Sequence, residues 1–140
     1  MARRRDDFAL YDLDLVVERI EGRCTCRMRV GDCVHLRSGK LSMPAGAEFC
    51  LYALQAAIPL LPAKQRQGHP ADWMETDARV TCPDPACRLI MRIDRVGRRV
   101  LRHDDVSAVP VAQAARASRP VTRPRRGATR RSPRRTAPGA

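Results

Sequence analysis

The sequence predicts a small α+β domain: an antiparallel sheet with elements in the order β-β-α-β-β, covered by one kinked helix and followed by a disordered basic tail. Three observations carry this. Apolar and polar side chains alternate in short runs within residues 10–22 and 87–96, with a shorter run at 33–37; a period of two is that of a half-buried strand. Residues 45–66 instead place apolar side chains three and four apart, the spacing of an amphipathic helix. From about Ser107 onward neither pattern continues.

Taken in order, residues 1–8 read as a frayed basic end. In "LYDLDLVVERIEG" Tyr11, Leu13, Leu15 and Val17 share one face and Asp12, Asp14 and Glu18 the other, and Gly22 ends the strand. "VGD" turns into a second strand, "CVHLR", and "SGK" is a tight turn before Pro44 closes the segment. Across 45–66, Cys50, Ala53, Leu54, Ala57, Ile58 and Leu61 form one stripe. Glu48 suits the positive end of that helix, and Lys64 and Arg66 suit its C-terminal end. Pro59 removes a backbone donor and should kink it. "QGHPADWMETD" is a polar loop, held down by Trp73, the only tryptophan. "ARVTC" and "CRLIMRIDRV" form a hairpin around "PDPA", with Leu89, Met91 and Ile93 inward. The folded domain is expected at 9–105 and the tail at 106–140. A modest core fits that length, and the exposed hairpin edge leaves homodimer formation open.

The formal charge of +12 is misleading as a guide to the domain. Residues 106–140 carry nine arginines and no acid, whereas 1–105 hold 18 basic against 15 acidic residues. Only Lys40 and Lys64 are lysines, and part of the arginine excess reflects a GC-rich coding bias. The basic start lacks a following apolar run of signal-peptide length, and no stretch reaches the ~18 apolar residues of a spanning helix. A cytoplasmic, non-membrane protein is expected, and there six cysteines are thiols or metal ligands rather than disulfides.

Three segments in order, "LVVERIEGRCTCRMRVGD", "PAGAEFCLYALQAAIPLLPAKQR" and "CPDPACRLIMRIDRV", resemble a family of small bacterial and archaeal proteins known without an established function. The family pattern runs strand, G-x-C, V-G-D, P-x-G-x-C opening a helix, C-x-D turn, and a final strand of I-x-R type. The resemblance spans about residues 10–97. It implies that Cys24, Cys50 and Cys82 are the family's cysteines, while Cys26, Cys33 and Cys87 stand outside the pattern. Members often carry histidine where this chain has Met28, and "AGAEFC" is slightly longer than the family's spacing. The resemblance brings no activity with it.

The cysteines are the candidate site. Cys50, at a helix start, meets unpaired N–H groups that lower a thiol pKa, which suits a nucleophile or a thiolate ligand; on the apolar stripe it also suits plain burial. Cys24, Cys26, Cys82 and Cys87 form C-x-C and C-x4-C pairs that could hold tetrahedral zinc, although C-x2-C is the commoner spacing. Cys24, Cys50 and Cys82 instead give three thiolates from three element ends, holding zinc or iron with His35, a water or a substrate as fourth ligand. The same three could work as a redox pair with a neighbour. Asp84 and Asp32 are candidate bases or ligand-orienting groups, and both are also ordinary turn residues. His69 and His103 carry little signal, and no H-x-x-E-H, G-x-S-x-G or phosphate-loop pattern occurs.

The function expected from these residues is a cysteine-lined site, metal-binding or thiol-reactive, with Cys50 and Asp84 as catalytic candidates, acting as an enzyme or as accessory to a redox or biosynthetic enzyme. The alternative is a binding module for a small molecule or protein. Its arginine tail would then contact nucleic acid non-specifically through phosphates, with no aromatic residue to stack on bases, or an acidic protein partner.

Overall fold

The structure, a computed structural model, describes residues 6–111. The chain divides into two units, residues 1–108 and 109–140, and the second is described only at 109–111. The expected disorder and nucleic-acid contacts of the tail beyond residue 111, and the first five residues, lie outside the described part.

The described elements are β1 (Asp7–Ile20), β2 (Cys33–Arg37), β3 (Lys40–Ser42), α1 (Leu51–Ala57), a 3-10 turn (Ile58–Leu60), α2 (Leu61–Lys64), α3 (Trp73–Thr76), β4 (Arg79–Thr81), β5 (Leu89–Arg102) and α4 (His103–Val106). The strands form one open sheet in the order β3-β2-β1-β5-β4, antiparallel at every pairing. This is an α+β arrangement, but its element order corrects the expected β-β-α-β-β. A third strand follows the "SGK" turn, pairing Leu36 with Leu41 and Arg37 with Lys40. All three of its residues are exposed, so no alternation marked it. Strand β1 also begins at Asp7, inside the stretch expected to fray, because β5 runs on to Arg102 and pairs with it from Asp7↔Arg102 to Ile20↔Leu89.

The register stacks the inward residues in layers. Leu15 lies opposite both Val34 and Ile93, Val17 opposite Met91, and Leu13 opposite Leu36. Leu13, Val17 and Met91 are fully buried. Bulges between Asp12 and Leu13 and between Val17 and Arg19 break the register, and each resets which side chains face inward. From α1 and α2, Ala53, Ala57 and Leu61 join the same buried cluster. They are four apart, the repeat that keeps one helix face inward. Small alanines let the helical segment approach closely.

The helix itself is shorter and more broken than the 45–66 periodicity suggested. Residues 45–50 are not helical. Gly46 adopts φ +72°, a left-handed conformation that glycine tolerates, and the Ala47 N–H donates to the Pro44 carbonyl in a turn. Glu48 therefore precedes the helix, and α1 has no acid in its first turn. Pro59 sits in the first turn of the 3-10 segment, where its missing N–H breaks the α-helical ladder.

The 67–77 loop is not pinned by Trp73, which is 63% exposed. Polar groups hold it instead. The buried Lys64 amine donates to the carbonyls of Met74 and Asp77, and burial lowers its pKa. Arg95 bonds both oxygens of Glu75 and the carbonyls of Lys64 and Arg66, while stacking over the Tyr11 ring at 4.3 Å. One guanidinium thus ties β1, the end of α2 and the loop together. No helix among the described residues is long and apolar enough to cross a membrane.

Candidate functional site

At one end of the sheet, where β1 stops and β5 begins, two loops are laced together. The N–H groups of Glu21, Gly22 and Arg23 donate to the carbonyls of Arg88, Cys87 and Ala86, at 3.2, 3.1 and 3.0 Å. Gly22 is what permits this. A Cβ there would collide with the Ala86 carbonyl oxygen and stand 2.7 Å from that of Cys87. The backbone contact carries Cys24 and Cys26 against the turn that bears Cys82 and Cys87.

That turn is built by Asp84. Its side chain accepts the Ala86 N–H at 2.9 Å, and its carbonyl accepts from Cys87 and Arg88, an Asx turn. The Cys82 N–H closes the hairpin on the Leu89 carbonyl at 2.8 Å. Asp84 does line the pocket described below, but its carboxylate is engaged in the turn. Asp32 behaves similarly, accepting the Arg29 N–H at 2.7 Å.

Met28 links the first loop to the helix. It is buried, and its sulfur accepts the Cys50 N–H. Cys50 is the N-cap of α1 rather than a first-turn residue, and its carbonyl accepts from Leu54. Its side chain closes no capping hydrogen bond, so the helix acts on the sulfur through the field of its free N–H groups.

These constraints bring five of the six cysteines to one pocket. Cys24, Cys26, Cys50, Cys82 and Cys87 line a cavity of about 390 Å³, together with Tyr52, Ala53 and Leu89 among others. All six cysteines are free thiols. Within the pocket the Cys26 thiol interacts with Cys50, and Cys24 with Cys87, with Cys82 close enough to influence Cys26 and Cys87. The pairs are electrostatically unequal. Burial pushes Cys50 up, but the N–H groups of Ala53 and Tyr52 and the Cys26 thiol outweigh it, and its pKa falls below the ordinary thiol value. Cys26, beside it, is raised to about 11, chiefly by Cys50. Burial raises Cys87 to about 12, with the Cys24 thiol adding to it. Within the Cys26–Cys50 pair, Cys50 is the thiol whose ionised state is favoured, and Cys26 is the neighbour held towards its protonated form.

The expected set of Cys24, Cys50, Cys82 and His35 is therefore brought together only in part. His35 faces away. Its neighbours Val34 and Leu36 are buried on the core side, and strand alternation sends His35 to the opposite face. There it lies opposite Asp14, with Nδ1 2.8 Å from the Asp14 carboxylate. Arg37 donates to the same oxygen at 2.7 Å. Burial pushes Asp14 up, but these two partners outweigh it and lower its pKa. Cys33 shares that face, 3.7 Å from His35 Nε2. Among the described residues no group of three or more His, Cys, Asp or Glu side chains is arranged to hold a metal ion.

Cys26 and Cys87 are in the pocket beside Cys24, Cys50 and Cys82. The C-x-C and C-x4-C spacings were their only signal in the sequence. Comparison with protein-family models, with curated proteins and with solved structures found no match to the chain.

Proposed function

We propose that the cysteine pocket carries out thiol–disulfide exchange, with Cys50 as the attacking thiolate and Cys26 as its resolving partner. The supporting observation is the placement of these two thiols in contact at the start of α1, inside a pocket that three further cysteines line. An attacking thiol needs thiolate character and access, and a neighbour able to displace the bound group. Cys50 is half-buried and Cys26 exposed, so the pair is open to a reactant. Cys82 and Cys87 are buried and Cys24 half-buried, and the three serve as a thiol-rich wall. A reducing compartment such as the cytoplasm keeps such thiols available.

A second reading starts from the same sulfurs. Five sulfurs in one pocket form a soft donor set, and zinc or iron held by Cys24, Cys50 and Cys82 with a neighbouring thiol would use it. One experiment separates the two. The purified full chain is analysed for bound metal, then titrated with iodoacetamide under reducing conditions, with modification sites read by mass spectrometry. Thiol exchange predicts no stoichiometric metal, Cys50 as the first site modified, and loss of the fast phase in Cys50→Ser. Stoichiometric zinc or iron with all pocket thiols protected, or six slow and equivalent thiols, overturns it.

A further inference from the structure

A second pocket, about 580 Å³, opens on the other side of the Cys26–Cys50 pair and shares both residues with the first. A cavity of that size suits a small molecule. Its remaining wall mixes the apolar Met28, Ala47 and Phe49 with the charged Arg27, Arg29, Asp32 and Glu48. Six of the thirteen arginines among the described residues, Arg19, Arg37, Arg79, Arg92, Arg95 and Arg99, are held by carboxylates. Arg27 and Arg29 are exposed, and their guanidinium groups enter none of the ion pairs formed among the described residues. Asp32 is partly engaged by the Arg29 N–H, which leaves Glu48 as the only acid on the wall without such a tie. Arg27 is held at φ 56°, and its N–H donates to the Cys24 carbonyl at 3.4 Å. The loop that aims these side chains is therefore the same one that delivers Cys24 and Cys26.

Resting on the exchange reading, we propose that the second pocket is the subsite for the carboxylate end of a small disulfide, whose sulfur it presents to Cys50. A guanidinium is planar and always charged, and it matches a carboxylate through two parallel bonds. The reaction balances without another oxidant. The Cys50 thiolate attacks one sulfur of the substrate R–S–S–R; the Cys50–S–S–R bond forms as the S–S bond breaks and one R–S⁻ leaves. Cys26 gives its proton to water or to that thiolate and attacks the Cys50 sulfur. The Cys26–Cys50 disulfide forms and the second R–S⁻ leaves. Two protein thiols are oxidised and one small disulfide is reduced to two thiols.

The test mixes the reduced full chain with three small disulfides: dithiodipropionate, which is anionic, hydroxyethyl disulfide, which is neutral, and cystamine, which is cationic. Formation of the Cys26–Cys50 disulfide is followed by acid quenching and mass mapping. Each rate is divided by that of a simple model thiol with the same reagent. The expected result is a preference of roughly tenfold for the anionic over the neutral reagent, the scale of one charge-assisted contact. The Arg27→Gln/Arg29→Gln double variant should lose the preference, and Arg102→Gln, at the far end of β5, should keep it. Equal normalised rates, or an equal loss in both variants, would overturn the subsite while leaving exchange at Cys26–Cys50 standing. Absence of that disulfide with all three reagents would overturn exchange itself.

Discussion

The two faces of the sheet use similar residue types for different ends. On the core-facing side five cysteines gather with apolar residues in one pocket. On the other side Asp14, His35 and Arg37 form one polar group, and Glu18 joins Arg79 and Arg92 in another. Cys33 and His35 could have belonged to either face by chemistry alone. Strand alternation decides, because residues that neighbour each other along a strand are separated by the whole sheet. The lesson is that the thiols meet through loop geometry and apolar burial, whereas the histidine is withheld by a period of two.

That contrast can be broken most severely at Gly22. Gly22→Ala puts a methyl group into the carbonyls of Ala86 and Cys87, so the two loops must separate. A loss on the order of 4 kcal/mol is expected in urea unfolding, and any surviving folded protein should show a slower Cys50 in alkylation. An unchanged midpoint and rate would show that the lacing does not hold the pocket.

Leu13→Ala attacks the shared core instead. Leu13 is fully buried, and the change should remove roughly 2–5 kcal/mol without singling out the pocket. Denaturation midpoint and alkylation rate measured together distinguish this from the Gly22 effect: here the order of thiol reactivity should survive under conditions where the protein remains folded.

The pH dependence probes the polar clamp at the other margin of the core. Arg95, with the Gly68 N–H, holds Glu75 down to about 2 from an ordinary 4.5. A depressed carboxylate pKa stabilises the fold above the unfolded value and loses that contribution as pH falls from about 4.5 towards about 2. Asp14 acts with the same sign. Glu75→Gln should therefore lower the melting temperature near neutrality and flatten the acid limb of a melting-temperature profile. Parallel profiles for the two proteins would contradict this.

The smallest effect is expected at His35. His35→Gln removes a partly exposed partner of Asp14, and a change below ~1 kcal/mol is expected for such a pair. Cys50 alkylation should be unaltered. A large change in Cys50 reactivity would mean that the two faces communicate.

Much of this division was already present in the sequence. Alternation around Leu13, Leu15 and Val17, and around Leu89, Met91 and Ile93, marked the central strands and the inward face. The same alternation in "CVHLR" already set His35 opposite to Val34 and Leu36, but its value as a ligand type outweighed its position. Strand β3 left no trace because Lys40, Leu41 and Ser42 are all exposed at the sheet's edge. The helix start was misplaced because small residues at 45–47 mimic helix while Gly46 turns the chain. Cys87 could not be paired with Cys24 from spacing, since that contact depends on three backbone hydrogen bonds between loops more than 60 residues apart, and Cys26 meets Cys50 only because the loop that carries it is tied to the helix start through Met28.

The burial of Lys64 has a practical consequence. The chain has only two lysines, and one of them is shut between the carbonyls of Met74 and Asp77. Among the lysines, amine-directed reagents on the native protein are thereby steered to Lys40, exposed on the outermost strand. A fluorophore or tether can be attached there while every sulfur is left untouched, so the thiols can be watched by a reporter that does not react with them.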